Sequence, residues 1–269
     1  MPEASVQDRP ARGDRDAAAL EVRDLRLVYG GVAALDGASF DVRPGIVTGL
    51  IGPNGAGKTT LFNAVSGLAR PMAGRARLFG EDVTGWPPHR LARAGLVRSF
   101  QLARGLPAMT VFEHLMLYGP DQPGEGLWAA LTGGAGVRAR EAALAEAALA
   151  VARRLRLSAV LDNRVGALSG GQRKLLEIGR ALMARPRLML LDEPAAGVNQ
   201  TLAEEIGDHL IAVAGEGTTV LLVEHDMALI GRVCDRVIVM ALGRTLAEGT
   251  FEEVREDPAV QDAYLGTRR

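Results

Sequence analysis

The chain has 269 residues, of which 48% are hydrophobic and 23% charged, which is enough apolar material for one large α/β domain. Its formal net charge of −1 gives no electrostatic argument for a nucleic-acid partner, and the single cysteine, Cys234, excludes an intramolecular disulfide. No run approaches the roughly 18–20 apolar residues of a membrane-spanning helix. Residues 1–19 are charged, lack the apolar segment of a secretory signal and predict a disordered N-terminal tail.

Alternating apolar and polar residues predict that the domain opens with antiparallel strands. Residues 20–23 and 25–29 have the pattern of strands exposed on one face, and a glycine pair then interrupts them. A further strand at 38–42 precedes a Pro-Gly turn. We therefore predict an antiparallel β subdomain at the start of the fold.

The next elements are an apolar strand, a glycine-rich loop and a helix. Residues 46–51 predict a buried strand, and residues 60–65 predict the helix. The loop between them fits G-x-x-x-x-G-K-[ST], in which backbone N–H groups and the helix N-terminus hold phosphates. The candidate nucleotide-binding residues are Gly52, Pro53, Asn54, Gly55, Ala56, Gly57, Lys58, Thr59 and Thr60.

Two side chains of this loop have specific predicted tasks. Lys58, one of only two lysines among 31 basic residues, is expected to reach the β- and γ-phosphates of a nucleoside triphosphate. The hydroxyl of Thr59 is expected to ligate Mg²⁺. A glycine-rich turn without a ligand is the alternative, and the flanking strand and helix argue against it.

Residues from about 95 to 167 differ in composition from the segments around them. A short strand at 75–80 and a helix at 89–94, ended by a glycine, precede them. Glycine-containing loops then separate helical stretches, of which the longest is an alanine-rich helix at 138–157. This pattern predicts an α-helical subdomain inserted in the α/β core.

A second glycine-rich motif precedes the next helix. Ser169 and Gln172 have the S-x-x-Q spacing of a capping box that opens a helix ending at residue 184. Helix propensity gives no reason for the two glycines between them, since each costs about 1 kcal/mol relative to alanine. Without side chains, Gly170 and Gly171 let an anion approach the helix N-terminus. We predict a phosphate contact here; a merely well-capped helix is the alternative.

An acidic pair follows a fully apolar strand. Residues 188–191 predict a buried parallel strand, which delivers Asp192 and Glu193 to the ligand crevice of an α/β sheet. Asp192 is expected to hold Mg²⁺ through its water shell, and Glu193 to polarise the attacking water. The alternative is that the two acids cap the next helix.

The rest of the chain predicts a helix at 202–214, strands at 218–223 and 236–240, and two short terminal helices. Thr250 and Glu253 form a capping box for the first of these helices. The predicted fold class is α/β, with a P-loop NTPase core, an antiparallel β subdomain and an inserted α-helical subdomain.

In order and spacing, these motifs resemble those of the ATP-binding cassette (ABC) ATPases over roughly residues 20–266. The resemblance implies that two such domains pair head to tail, each holding ATP between its own phosphate loop and the partner's Leu-Ser-Gly-Gly-Gln signature. It matches Tyr29 to the aromatic that stacks on adenine. It also matches Gln101 to the glutamine that senses Mg²⁺ and water, and His225 to the histidine that contacts the γ-phosphate. Asn199 stands where most of the superfamily has aspartate.

Three stretches resemble the ATPases of branched-chain amino acid uptake systems more narrowly. They are residues 98–101 with 109–113, residues 193–199, and residues 263–266. The long insertion from 119 to 140 resembles the larger of the two ATPase chains that those systems use. Many of these relatives carry a tyrosine in place of Gly170 and a proline in place of Gln200.

The resemblance implies an ATP-hydrolysing subunit that powers an importer of branched-chain amino acids or a related small amide, with ATP and Mg²⁺ as cofactors. It implies permease subunits as transmembrane partners, a second ABC ATPase subunit in a homo- or heterodimer, and indirectly a solute-binding protein. It places the chain peripherally on the cytoplasmic face of the cell membrane.

The main alternative is the ATPase subunit of a lipid or lipopolysaccharide exporter. A soluble cassette protein acting on ribosomes or DNA is disfavoured by the single cassette, the lack of sustained heptads and the near-neutral charge. A regulatory module with a dead site is disfavoured because Lys58, Asp192, Glu193 and His225 are all present.

Overall fold

The computed structural model describes residues 18–99, 106–120 and 135–265. Among them the strands are β1 (Leu20–Tyr29), β2 (Val32–Val42), β3 (Val47–Ile51), β4 (Ala73–Leu78), β5 (Glu81–Asp82), β6 (Leu96–Arg98), β7 (Leu188–Asp192), β8 (Thr219–Val223), β9 (Arg236–Ala241) and β10 (Arg244–Gly249). The helices are α1 (Lys58–Val65), α2 (Pro88–Arg93), α3 (Val111–Leu117), α4 (Ala135–Arg154), α5 (Gly170–Met183), α6 (Gln200–Gly215), α7 (Met227–Val233), α8 (Phe251–Glu256) and α9 (Pro258–Leu265).

The first sheet of the described residues is antiparallel, with strand order β2-β1-β4-β5. The two segments predicted at 20–23 and 25–29 form one continuous strand, β1, because a bulge at Asp24 (φ +47°) joins them without ending the pairing. Ala19, placed in the predicted tail, is buried, and its N–H donates to the carbonyl of Val42 over 2.7 Å. The predicted antiparallel β subdomain is confirmed.

The second sheet has the order β10-β9-β3-β8-β7-β6 within the described part of the chain. β9, β3, β8, β7 and β6 are parallel, and β10 pairs antiparallel with β9 at one edge. Because β3, β8 and β7 are parallel neighbours, the loops that follow them leave the same edge of the sheet. This topology sets the phosphate loop beside the acidic pair, and it confirms the predicted α/β fold class.

Both faces of the parallel sheet are buried. Along β8, Val220 and Leu222 pack into one hydrophobic cluster, and Leu221 and Val223 pack into the other. Burial of each such side chain stabilises the fold by about 1.5–3 kcal/mol relative to exposure. A strand buried on both faces reads as an unbroken apolar run, which is why the sequence pattern located it.

Helices α3, α4 and α5 pack together next to this sheet and contribute to one of its two clusters. Thr110 and Glu113 form a capping box at the start of α3. Residues 96–98, placed at the start of the predicted helical subdomain, form β6 and pair with β7 in the main sheet. α4 ends at Arg154 rather than at residue 157, because Arg156 adopts a left-handed conformation with φ +53°. No helix in the described ranges is both long and apolar enough to cross a membrane.

Candidate nucleotide-binding and catalytic site

A groove of about 400 Å³ lies at the carboxyl edge of the parallel sheet. It brings together the phosphate loop, the second acid of the predicted pair and the predicted histidine. Its described lining consists of Val32, Ala33, Ala34, Asn54, Gly55, Ala56, Gly57, Lys58, Thr59, Thr60, Glu193, Val223 and His225. The sequence pattern did not single out Val32–Ala34, because they belong to the antiparallel sheet and carry no motif.

Two glycines of the phosphate loop have backbone conformations and surroundings that exclude a side chain. Gly52 has φ +149°, and a Cβ there would lie 2.1 Å from the carbonyl oxygen of Met240. Gly57 has φ +99°, and its Cβ would lie 2.6 Å from the carbonyl oxygen of Ala34. The loop therefore folds tightly against β9 and β2, which leaves its other side open to the groove.

Lys58 is buried at the base of this loop. Its Nζ donates to the carbonyl oxygens of Gly52 and Pro53, at 2.6 and 3.1 Å. The ammonium therefore bridges two backbone carbonyl groups at the start of the loop. Burial lowers the pKa of Lys58, and the nearby carboxylates of Glu193 and Asp192 oppose that shift. A buried cation flanked by glycines is the arrangement that binds phosphate oxygens.

The first turn of α1 is suited to an anion. Gly57 is the N-cap, and among the described residues no side chain caps its N–H groups. Thr59 and Thr60 follow within the groove lining. Free N–H donors, the helix dipole and the buried ammonium fit the phosphates of ATP.

One threonine hydroxyl and one carboxylate fit Mg²⁺, which takes few protein ligands and completes its coordination with phosphate and water oxygens. Thr59 and Asp192 would hold it.

Asp192 ends β7 and is fixed by Arg98, for which the sequence pattern predicted no role. Nη2 of Arg98 donates to its Oδ2 over 3.0 Å. Arg98 also bonds to Asn63 of α1 and to Ser66, which caps the C-terminus of that helix. The guanidinium thus connects the predicted metal-binding carboxylate to the helix that follows the phosphate loop.

Glu193 adopts φ +50°, a left-handed conformation that is rare for a residue with a side chain. Its Oε1 lies 2.8 Å from Nε2 of His225, which follows the neighbouring strand β8. Both side chains are partly exposed in the groove. The structure therefore brings together Glu193 and His225, which lie far apart in the sequence.

Two further residues support these loops and were missed by the sequence analysis. Nζ of Lys174, on α5, donates to the carbonyl oxygen of Glu193. The buried carboxylate of Glu224 accepts from the N–H of Ala195 at 2.7 Å and from that of His225 at 3.2 Å. An acid at the end of an unbroken apolar strand, next to a histidine, was the available signal for Glu224.

The signature residues form the predicted capping box. Oγ of Ser169 accepts from the N–H of Gln172, and Oε1 of Gln172 accepts from the N–H of Ser169. A Cβ at Gly171 would meet Leu202 of α6, so this glycine has a packing role within the chain. A Cβ at Gly170 would point into open space. None of these residues belongs to the described lining of the groove.

The other residues matched by resemblance have separate outcomes. Tyr29 ends β1, is half exposed and pairs with Val32, which lines the groove. Gln101 lies outside the described residues. Oδ1 of Asn199 accepts from the N–H of Leu202 and caps α6. The side chain of this asparagine therefore forms a hydrogen bond within the chain.

The two terminal helices, α8 and α9, pack next to the residues that flank the phosphate loop and the loop after β8. A nearly apolar cavity of about 250 Å³ is lined by Ile51, Met227, Phe251, Val254, Arg255, Val260, Gln261 and Tyr264. Ile51 immediately precedes the phosphate loop, and Met227 begins the helix after His225. Burial raises the pKa of Tyr264, and the backbone N–H of Gly52 partly offsets that rise. The C-terminal segment thus contacts residues that flank the loops of the site.

Comparisons with known proteins agree with this geometry. The family profile described as "ABC transporter" matches residues 35–196, and the profile described as "Branched-chain amino acid ATP-binding cassette transporter" matches residues 244–269. The high-affinity branched-chain amino acid transport ATP-binding protein BraF of Pseudomonas aeruginosa is 39% identical over 248 residues, covering 92% of this chain and 97% of that protein. The corresponding LivG protein of Escherichia coli is 37% identical over 249 residues, covering 92% and 97%.

Solved structures give the same assignment. The ADP conformation of an ATP-binding cassette of an ABC transporter matches with a TM-score of 0.81 at 37% identity, covering 93% of this chain and 99% of that one. A nucleotide-free cassette from an ABC transporter matches with a TM-score of 0.80, also at 37% identity, covering 92% and 98%. The chain belongs to the ATPases of the ABC transporter family.

Proposed function

We propose that this chain is the ATP-hydrolysing subunit of an importer of branched-chain amino acids or a related small amide. The observation that carries the ATPase assignment is the groove in which Lys58, Glu193 and His225 meet. The cargo assignment is supported by the C-terminal match at residues 244–269 and by the names of the similar proteins.

Each site residue has a separate task in the hydrolysis of ATP. Lys58 and the first-turn N–H groups of α1 bind the phosphates of ATP and hold the γ-phosphorus facing Glu193. Water attacks this phosphorus, the bond to the bridging oxygen breaks, ADP leaves, and Glu193 accepts the proton of the water. Nε2 of His225, 2.8 Å from Oε1 of Glu193, orients that carboxylate. Thr59 and Asp192 would hold Mg²⁺, which when bound would supply positive charge to the phosphate oxygens. Gln101 is proposed to sense that ion and the water.

The complete site needs a second ATPase chain. Ser169 and Gly170 are exposed, and none of the described residues lies close enough to Gly170 to require a glycine there. Together with Gly171 and Gln172 they would contact the γ-phosphate bound to the partner, while Tyr29 stacks on adenine in its own groove. The partner is either a second copy of this chain or a related ATPase.

The remaining partners follow from the family. Permease subunits bind the ATPase at the cytoplasmic face of the cell membrane, where the chain is peripheral, and a solute-binding protein delivers cargo to them. Since the solute never touches the ATPase, no residue of this chain selects it.

Uptake measurements test this function directly. Cells lacking this chain should lose uptake of at least one of labelled leucine, isoleucine, valine or urea, and the wild-type gene should restore it where Lys58→Ala does not. Unchanged uptake of all four solutes together with a loss of lipid or lipopolysaccharide export would replace the importer assignment with the exporter one.

A further inference from the structure

The chain uses arginine for almost all of its basic positions, and both of its lysines lie at the candidate catalytic site. Lys58 belongs to the phosphate loop, and Lys174 lies on α5, two residues beyond the signature glutamine Gln172. The family motifs account for Lys58. They leave Lys174 without a role.

Lys174 reaches from α5 to the turn after β7. Its Nζ donates to the carbonyl oxygen of Glu193 over 3.0 Å, and its side chain is only 17% exposed. A carboxylate oxygen of Glu177, one helical turn further along α5, lies 3.9 Å from the same nitrogen. The ammonium is therefore held between its own helix and the acidic turn.

The residue that it contacts has an unusual backbone. Glu193 has φ +50°, a conformation that side-chain-bearing residues rarely adopt unless their surroundings impose it. Its N–H donates to the carbonyl oxygen of Val223 over 2.9 Å, and its carbonyl oxygen accepts from Lys174. The two polar backbone groups of Glu193 are thus fixed from β8 on one side and from α5 on the other.

A lysine suits this contact better than an arginine. The acceptor is a single carbonyl oxygen, which a compact ammonium reaches as a point charge, whereas a guanidinium is shaped for two acceptors.

We propose that Lys174 is a positioning residue for Glu193. By holding the carbonyl oxygen, it keeps the backbone in the left-handed conformation that directs the carboxylate into the groove beside His225. Lys174 also connects two parts of the molecule. The turn at Glu193 belongs to the ATP site of this chain, and the first residues of α5 contact the ATP bound by the partner chain. The inference rests on the proposed function, since it presupposes that Glu193 acts on water.

The test compares three variants in the assembled transporter complex. Lys174→Met keeps the length of the side chain and removes the ammonium, and Lys174→Arg keeps a cation. Arg154→Met is the matched control, because Arg154 joins α4 to Glu216, after α6, through an ion pair of 2.6 Å that lies outside the site. Each variant is measured for kcat, KM for ATP and binding of ATP by calorimetry.

Lys174→Met should lower kcat about 10- to 100-fold, the loss expected for one charge-assisted hydrogen bond, with KM and ATP affinity kept. Lys174→Arg should recover part of that loss, and Arg154→Met should keep the wild-type kcat. A wild-type kcat in Lys174→Met, or equal losses in Lys174→Met and Arg154→Met, would overturn the inference.

A measurement on the wild-type chain keeps the inference testable if Lys174→Met does not fold. With ¹³C-labelled lysine only two side-chain signals arise, and Lys174→Arg assigns them. The ε-methylene signal of Lys174 should be that of a restrained side chain and should change when ATP is added. A signal like that of free lysine, unaffected by ATP, would overturn the inference. Absence of ATP turnover in the wild-type complex would instead overturn the proposed function, and this signal would still report on the contact.

Discussion

Nη2 of Arg98, at the end of β6, donates to Oδ2 of Asp192, at the end of β7, over 3.0 Å. The arginine side chain is only 9% exposed, and its Nη1 donates to Oδ1 of Asn63 at 2.7 Å. One guanidinium therefore satisfies acceptors on β7 and on α1. Removing it leaves two partly buried acceptors, one of them a carboxylate, without this donor, which costs stability beyond the loss of the bonds themselves.

Arg98→Met should accordingly lower the free energy of unfolding by about 1–3 kcal/mol. The control is Arg232→Met, which removes the exposed ion pair of Arg232 with Asp208 and should cost less than about 1 kcal/mol. Urea unfolding of the two variants, followed by circular dichroism, measures both. Equal losses would mean that the Arg98–Asp192 pair is no more important than a surface ion pair.

Glu193→Gln should stop hydrolysis and keep ATP binding. The amide has the shape of the carboxylate and lies in the same turn, but it cannot accept the proton of the attacking water. A loss of about 10²–10⁴-fold in kcat is expected for a general base, with the dissociation constant for ATP unchanged. Single-turnover hydrolysis and calorimetry on the same preparation check the two halves. Near-normal turnover would assign the base to another residue.

The elements that form the core of the site could be predicted from the sequence because each carries a local signal. The phosphate loop, the apolar strand β7 and the capping box at Ser169 are all defined within a few consecutive residues. β10 and α7 were not predicted. β10 is an edge strand with little burial, and α7 is a single short helix capped by Asp226.

The contacts that hold the site together could not be predicted, because they join residues far apart in the chain. Arg98 and Asp192 are 94 positions apart, and Lys174 and Glu193 are 19 apart on different elements. Motif spacing identifies the residues that contact the ligand. It carries no information on which other side chains hold those residues in place. The packing of Gly171 against Leu202 could not be predicted either, because the sequence pattern indicates a phosphate contact for this glycine and does not identify its neighbour in another helix.

Ser169→Arg should abolish hydrolysis in the assembled complex and leave ATP binding by the isolated chain unchanged. The reason is that Ser169 is exposed and lies outside the described groove lining of its own chain, so the added bulk obstructs only a site formed with a partner. Gly136→Arg is the control, because it adds an arginine at an exposed glycine of α4 whose Cβ would meet none of the described residues. Turnover that is independent of protein concentration in the isolated chain would contradict the need for a partner.

The raised pKa of Glu224 makes the free energy of unfolding depend on pH. Burial raises the pKa of its carboxyl above the ordinary value of 4.5, and the N–H groups of Ala195 and His225 only partly offset that rise. An acid whose pKa is higher in the folded than in the unfolded state stabilises the fold most below the unfolded pKa. That contribution is lost as the pH rises through the folded pKa. The wild-type chain should therefore lose stability from this group as the pH rises above about 4.5.

Glu224→Gln isolates this effect, because the glutamine does not titrate while all other groups are kept. The amide has one acceptor oxygen in place of two, so it leaves either Ala195 or His225 without its bond, at a cost of about 1–3 kcal/mol that does not vary with pH. The difference in unfolding free energy between wild type and variant should be largest near pH 4 and shrink toward pH 8. Urea unfolding at a series of pH values measures it. A difference that grows with pH would mean that the ionised carboxylate, held by the two N–H groups, is the form that the fold stabilises.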